Sequence, residues 1–524
     1  MEWEHRGVSW NATHGSVGWY VAPFLVGAAV YATYLLTVPF PGNYAGLYLE
    51  MAQQIHQHGY QLPARVPHYT RGGLPFAYPP LGPYLVAVLH GATGLSYLTL
   101  ARYLPGVVTL LYLVPTLFVG LELTDSARKA GLATAVVAFS PAVFGWHLSA
   151  GGVVRAPAFL FTVAGVYTGL KLFTAPRRRW LLLSAALFGC TVLTHPVNTV
   201  FFGVSYVTFF LYFDRTPAGL VRGATVAAGG FALAFPWLWQ VSQVHGIDVF
   251  TNAAGTRGGI FPGVLVSGAQ FLSDFRTELL PLWRALAVVG LVSLVGRARY
   301  FLPVWFGAVL LTIPRPRFLM FVGAFAAAHF VVDDVLAAVG DATVPFEIPR
   351  SYLSAAAVGL LVGFGLVGGV LFTAGYPVLG PSDTSTTSDV TSADRRAISW
   401  VERNTAPDAS FVVTGGPYEW FPFMADRTLV VSPLGAEWLG EERYQDHLRK
   451  YGELSNCEYA ACFARTLRTE SVETDYVYVS RGDRDELTWR LLREGFRDSA
   501  AFEVAYENDG VVVVRTTAAL SRPA

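Results

Sequence analysis

The sequence predicts an α-helical polytopic membrane protein of about 11 transmembrane helices, followed by a C-terminal soluble α/β domain. Three observations carry that expectation. Of 524 residues, 53% are hydrophobic and only 14% charged, where an ordinary soluble domain carries about 25% charged residues. Stretches such as 17–37, 107–121, 130–144 and 355–372 are nearly free of charge, and a bilayer core asks for about 20 such residues per helix. The net charge of zero hides two unlike halves, with 24 acidic and 16 basic residues from position 381 onward against 13 and 21 before it. An acidic, water-facing tail thus follows a basic membrane domain.

Apolar runs place helices near 17–39, 102–122, 130–147, 155–172, 179–194, 197–213, 218–241, 281–297, 300–313, 318–337 and 352–374. The first lacks a small-residue cleavage site behind it and reads as a retained helix rather than a signal peptide. The basic loops at Arg128/Lys129, Arg177/Arg178/Arg179, Arg215/Arg222 and Arg297/Arg299 are separated by even numbers of crossings, which assigns all of them to the cytoplasmic side. The expected arrangement is a multi-pass plasma-membrane protein with its N-terminus in the cytoplasm and its C-terminal domain outside. Loops 147–157, 194–198 and 242–280 then face outward. Counting 82–97 as a full crossing would break this pattern. At about 16 residues it reads as a re-entrant or interfacial helix, leaving 40–100 as one large external loop. Within that loop Tyr44, Leu47, Tyr48, Met51 and Ile55 recur at helical spacing, the pattern of an amphipathic helix lying on the membrane surface.

The expected domains are a membrane domain over 1–378, a Ser/Thr/Asp-rich linker over 379–394 and an extracytoplasmic α/β domain over 395–524. The tail signals a helix at Arg395–Arg403, strands at Ser410–Thr414, Thr428–Ser432 and Tyr476–Ser480, and helices near Glu441–Tyr451 and Arg484–Glu494. A hairpin turning at Asn508, Asp509 and Gly510 closes it. Cys457 and Cys462 either pair in an oxidising exterior or remain free thiols on one buried helix; the spacing is too sparse for a metal site.

Polar and ionisable groups at membrane depth or at its outer edge are costly and are therefore candidates for functional sites. The outward ones are Asn43, Glu50, His56, His58, Arg65, His68 and Arg71 in the first loop, then His147, Arg155 and His195. Arg155 follows Gly151 and Gly152 and opens an apolar helix, with Pro157 where a first turn tolerates proline. Free N–H groups plus a guanidinium fork suit a phosphate, and a snorkelling interfacial arginine is the competing reading. A lone histidine at a helix junction, such as His195 in "LTHPVN", is more often a satisfied structural donor than a ligand or base. Positions 56, 58 and 68 do not make a strong ligand spacing, so a divalent metal is left open and not required. In "FAYPPLGPYL", Pro79 and Pro80 hold Tyr78 extended and delay the next helix, because proline lacks the N–H and restricts the residue before it.

"YLEMAQQI" within the first loop and "FAYPPLGPYL" behind it resemble the integral-membrane glycosyltransferases of the GT-C superfamily, of the protein mannosyltransferase and aminoarabinose transferase type. The matching positions are Tyr48, Glu50, Ala52 and Tyr78 to Leu81. "GGVVRAP", "LTHP" and "EWFPFMADRTLV" resemble segments of archaeal and bacterial members. The resemblance implies transfer of a sugar from a polyprenyl (dolichyl) phosphate-linked donor to a protein, lipid or glycan acceptor on the outer face, with membrane lipid and no nucleic acid as further partners. It also implies that Arg71, Arg155 and His195 hold the donor phosphate and that Tyr48, Tyr78, Pro79 and Pro80 belong to a substrate loop. The acidic dyad of the family falls on Tyr44 and Ala45, beside Asn43, and neither aspartate is present. Glu50 is the only carboxylate in 40–80, with Asp248, Asp274 and Glu278 in the second long loop, so Glu50 and Asn43 are the catalytic candidates. The missing dyad keeps a second reading in play, a non-catalytic relative that binds lipid-linked glycan or assists surface-glycan assembly. Transport ranks third: His329, Asp333 and Asp334 are the main charges at mid-depth, and no inverted repeat is visible.

Overall fold

The computed structural model describes residues 14–42, 45–255, 271, 281–341, 349–376, 390–482 and 484–520. Asn43, Tyr44, Asp274, Glu278 and linker positions 379–389 lie outside the described residues. Two compact units emerge: a membrane unit within Met1–Pro39, Arg102–Phe235 and Ile260–Thr387, and a loop–tail unit within Phe40–Ala101, Pro236–Gly259 and Ser388–Ala524.

In the membrane unit each of the eleven expected runs is helical. Among the described residues seven helices are long and apolar enough to cross a membrane, or eight if the bent pair Ala127–Phe139 and Pro141–Leu148 is one span. That pair bends by 51° because Ser140 is extended before Pro141, which cannot donate to the helical ladder. The helices Arg178–Val192, Leu282–Gly296 and Phe301–Thr312, of 15, 15 and 12 residues, fall short of a full crossing. The Pro316–Phe330 helix is buried on every side from Phe318 to His329 and forms the centre of the unit.

Lipid tails give no hydrophobic drive between helices, so close packing and polar contacts hold them. Gly165 and Gly169 let the Gly152–Thr174 helix approach Phe202 and Tyr206, which a Cβ at either position would strike. Tyr206 Oη bridges the Gly165 carbonyl (2.9 Å) and Ser184 Oγ (2.8 Å), and Ser184 Oγ reaches Thr168 Oγ1 at 3.0 Å. At one set of helix ends acids and bases pair: Lys171 with Glu122 (2.5 Å), Lys129 with Asp333 (2.7 Å), Arg222 with Asp214 and Arg297 with Asp334. Asp333 and Asp334, the charges that raised transport, are thus ion-paired where the chain passes through a π-helical turn, Val331–Val335.

The loop–tail unit is built on a five-stranded sheet in the order Thr428–Leu429, Ser410–Thr414, Tyr476–Ser480, Val511–Thr516, Phe502–Glu507. The first three strands are parallel and the last two antiparallel. Central strands buried on both faces read as continuous apolar runs, here "FVVT", "YVYV" and "VVVV". Val412, Val477, Val479, Val512 and Val514 pack with Phe463, Trp489, Leu492 and Phe496; the alternate residues Phe411, Val413, Tyr478, Val511 and Val513 pack with Ala397, Ile398, Val401 and Phe421. Cys457 and Cys462 form a disulfide, with Cys457 ahead of the Ala460–Thr469 helix and Cys462 within it.

The first loop belongs to this unit. The Leu429 N–H donates to the His68 carbonyl (2.8 Å), Tyr69 Oη donates to the Glu419 carbonyl (2.8 Å), and the Arg65–Val66 strand pairs antiparallel with Leu74–Pro75. The expected membrane-surface helix forms as Gly46–Gln57, but Leu47, Met51 and Ile55 are 4%, 0% and 0% exposed. Its apolar face is covered within the unit, by Leu81–Thr93 and Phe421–Ala425, and not laid on a bilayer. Local periodicity could not name these partners, one of which lies some 370 residues away in the chain. The 82–97 run is a 13-residue helix, Leu81–Thr93, about 20 Å long and too short to span.

Candidate active site

In the membrane unit, the helix ends opposite the ion pairs are basic. His147, at the end of Pro141–Leu148, is 1% exposed and sits between Tyr112 (5.5 Å between ring centres) and Phe159 (4.5 Å). Neither ring nitrogen has a hydrogen-bond partner among the described residues. Arg155 and Arg317 both lie close enough to act on it electrostatically. Gly152 permits this: a Cβ there would overlap the His147 carbonyl and press on Pro105. The helix starts at Gly152, so Pro157 falls at its sixth position and not in its first turn, as the sequence suggested. Arg155 stacks its guanidinium over Trp146 at 4.7 Å. His195 is the N-cap residue of Pro196–Phe213, with Pro196 at the first helical position. Arg317 escaped the sequence reading, although "IPRPR" between two apolar runs carries two arginines on the side where basic loops are disfavoured.

The loop–tail unit holds the other candidates. Glu50 is 2% exposed and accepts a hydrogen bond from Gln54 Nε2 at 3.0 Å. Burial pushes its carboxyl up to about 7, against the lowering effect of the Gln54 bond and with a smaller upward push from Asp426. Tyr69 and Tyr97 feel its charge, and Tyr69 also feels Glu419 and Tyr418. Tyr48 packs on Tyr78 with ring centres 4.8 Å apart, and Tyr78 on Trp438 at 6.2 Å. Residues two apart on a helix point about 200° away from each other, so Glu50 and the Tyr48–Tyr78 pair occupy different faces of Gly46–Gln57. Pro80 is the N-cap residue of Leu81–Thr93 and its carbonyl accepts from Tyr84 N; the helix begins directly behind the two prolines. Arg71 donates to the Glu473 carbonyl and faces its carboxylate at 3.6 Å. It lines an open polar cleft of about 1160 Å³ with Ser410, Thr428, Arg465, Arg468 and Asp475. Among the described residues no group of three or more His, Cys, Asp or Glu side chains converges to hold a metal ion.

No protein-family model matches the sequence, and no curated protein does. Solved structures do. The oligosaccharyltransferase of Archaeoglobus fulgidus, tethered to an acceptor peptide containing an NVT sequon, superposes with a TM-score of 0.60 at 13% identity over 95% of this chain and 74% of its own. ArnT from Cupriavidus metallidurans bound to undecaprenyl phosphate gives 0.58 at 15% identity, covering 97% of this chain and 100% of that one. The mycobacterial arabinofuranosyltransferase AftD gives 0.57 at 13% identity over 98% of this chain and 40% of its own. These likenesses show the fold, and with seven or eight membrane-length helices among its described residues this chain is a multi-pass membrane protein with the GT-C fold.

Proposed function

We propose that the protein is a membrane glycosyltransferase that moves a sugar from a polyprenyl-phosphate-linked donor to an acceptor on the outer face. The observation that carries this reading is the GT-C fold along 97% of the chain, matched to the whole of an ArnT structure that holds undecaprenyl phosphate; a structure of the Archaeoglobus enzyme AglB holds a dolichol-phosphate. In the transfer, the bond from the anomeric carbon to the phosphate oxygen breaks, the acceptor oxygen takes its place, and the carrier phosphate leaves with the electron pair. Arg155 and Arg317 supply the positive charge, and the starts of Gly152–Thr174 and Pro196–Phe213, with His147 and His195, supply the N–H donors that stabilise that phosphate. Within the loop–tail unit, Glu50 is the group fitted to take a proton from an acceptor, since a carboxyl balanced near neutral pH is what general-base chemistry asks for. The ion-paired helix ends adjoin the basic loops and face the cytoplasm by charge bias, and the Cys457–Cys462 disulfide fits an extracytoplasmic tail.

Purified full-length protein in nanodiscs, supplied with a panel of polyprenyl-phosphate-linked sugars and membrane-derived acceptors, tests the reading. Loss of sugar from one donor is expected, with Arg155→Ala and Glu50→Gln each lowering turnover by about 10²-fold or more. Normal transfer by Arg155→Ala would remove the phosphate role. Tight donor binding without turnover would favour the non-catalytic alternative.

A further inference from the structure

Glu50 is buried on a helix whose start and flank rest on the tail as well as on Leu81–Thr93. Its helix starts at Gly46, where a Cβ would overlap the Glu419 carbonyl and crowd Trp420, so glycine lets the helix sit directly on tail backbone. The Phe421–Ala425 helix packs along Gly46–Gln57. Tyr69, 0% exposed, donates to that same Glu419 carbonyl at 2.8 Å. Phe40, just upstream, meets Trp420 edge-on at 5.0 Å. One tail segment, 418–427, therefore touches the start of the helix, its flank and the tyrosine beside Glu50. Among the described residues, the groups that act on or feel this carboxyl are Gln54 on its own helix, Tyr69 from the loop, Tyr97 at the start of the Tyr97–Thr124 helix and Asp426 from the tail, with Tyr418 and Glu419 acting on Tyr69.

We propose that tail segment 418–427 is a positioning element for the reaction: by seating Gly46 and Tyr69 on the Glu419 carbonyl it keeps Glu50 out of water, so the loop carboxyl becomes a working base only on the assembled unit. Burial is the largest cause of the raised carboxyl, so exclusion of water holds it there. Loosening the seat admits water and returns the group toward its ordinary value of 4.5. Gly46 and Tyr69 are thus positioning residues, acting through Glu50.

This inference rests on the role given to Glu50 above, and its test is independent of turnover. The protonated carboxyl of Glu50 is followed by infrared difference spectroscopy of the full-length protein, using Glu50→Gln to identify its carbonyl band, from pH 4 to 9. The wild-type midpoint is expected near 7. Gly46→Ala and Tyr69→Ala move it down by about 1 unit or more, and Tyr69→Phe, which keeps the ring and loses only the bond to Glu419, moves it the same way by less. Arg396→Ala, which breaks the exposed tail pair with Asp509, leaves it in place and controls for general loosening of the tail. Midpoints unchanged in both Gly46→Ala and Tyr69→Phe would overturn the inference, as would an equal shift in Arg396→Ala. If the midpoint moves but Glu50→Gln transfers normally, the base role falls and the coupling stands; if transfer needs Glu50 while the midpoint ignores Gly46 and Tyr69, the coupling falls alone.

Discussion

Individual residues decide what this protein can do at each site. Glu50 was visible in the sequence as the lone carboxylate of its loop, but its burial was not, since Tyr69, Tyr97 and Asp426 reach it from three separate stretches of chain. That burial has a thermodynamic consequence of fixed sign. The folded carboxyl titrates above its unfolded value of 4.5, so the folded state holds the extra proton and the associated stability is fully present below pH 4.5. It is lost as pH rises through about 7. Thermal unfolding in detergent at pH 4.5 and 8 should show this loss, on the order of 3 kcal/mol at most. Glu50→Gln should flatten the dependence and be the more stable protein at pH 8. Gly152 makes a sharper residue-level case, because its missing side chain is filled by backbone. Gly152→Ala must push the start of its helix off the His147 carbonyl, at a cost of about 1–3 kcal/mol. It should weaken donor binding along with Arg155→Ala, read by titration with a polyprenyl phosphate.

At the scale of elements, the long apolar helices were legible because a span must be apolar for about 20 residues whatever its neighbours. The tail strands Ser410–Thr414 and Tyr476–Ser480 were legible to the residue, since β-branched and aromatic runs bounded by turn residues leave little else to form. The Gly46–Gln57 helix was legible as a helix and misjudged as a surface element, because amphipathic spacing says that one face is covered and not by what. How helices join was not legible at all: nothing in "GVYTGL" announces that Gly165 and Gly169 admit Phe202 and Tyr206. The joint is testable. Tyr206→Phe removes the hydroxyl that ties Gly165 to Ser184 and should cost about 1 kcal/mol, in the range of hydrogen bonds between membrane helices. Gly165→Leu should cost more, and a Tm series in one detergent orders the two. Equal Tm values for wild type and both variants would show that this joint does not hold the unit.

For the molecule as a whole, charge and cysteine chemistry each argue for the proposed orientation from independent physics. The described acids of the membrane unit that form ion pairs, Glu122, Asp214, Asp333 and Asp334, sit at the helix ends next to the basic loops, where positive-inside bias would put the cytoplasm. Arg155, Arg317, His147 and His195 take the other end, the side on which a lipid-linked donor is presented in the proposed reaction. The tail contributes the second line of reasoning. Its Cys457–Cys462 disulfide closes a short loop in the buried core of the sheet domain, and a bond of this kind persists in an oxidising compartment and not in a reducing cytoplasm. Cys190, in a membrane helix, is the one other cysteine of the chain. Protein taken from cells with thiols trapped on lysis, then denatured and treated with a mass-tagged maleimide, should therefore accept one tag before reduction and three after. Three tags without reduction would place the tail in the cytoplasm and turn the whole membrane unit over, carrying Arg155 and His195 to the side where the proposed outer-face transfer could not occur.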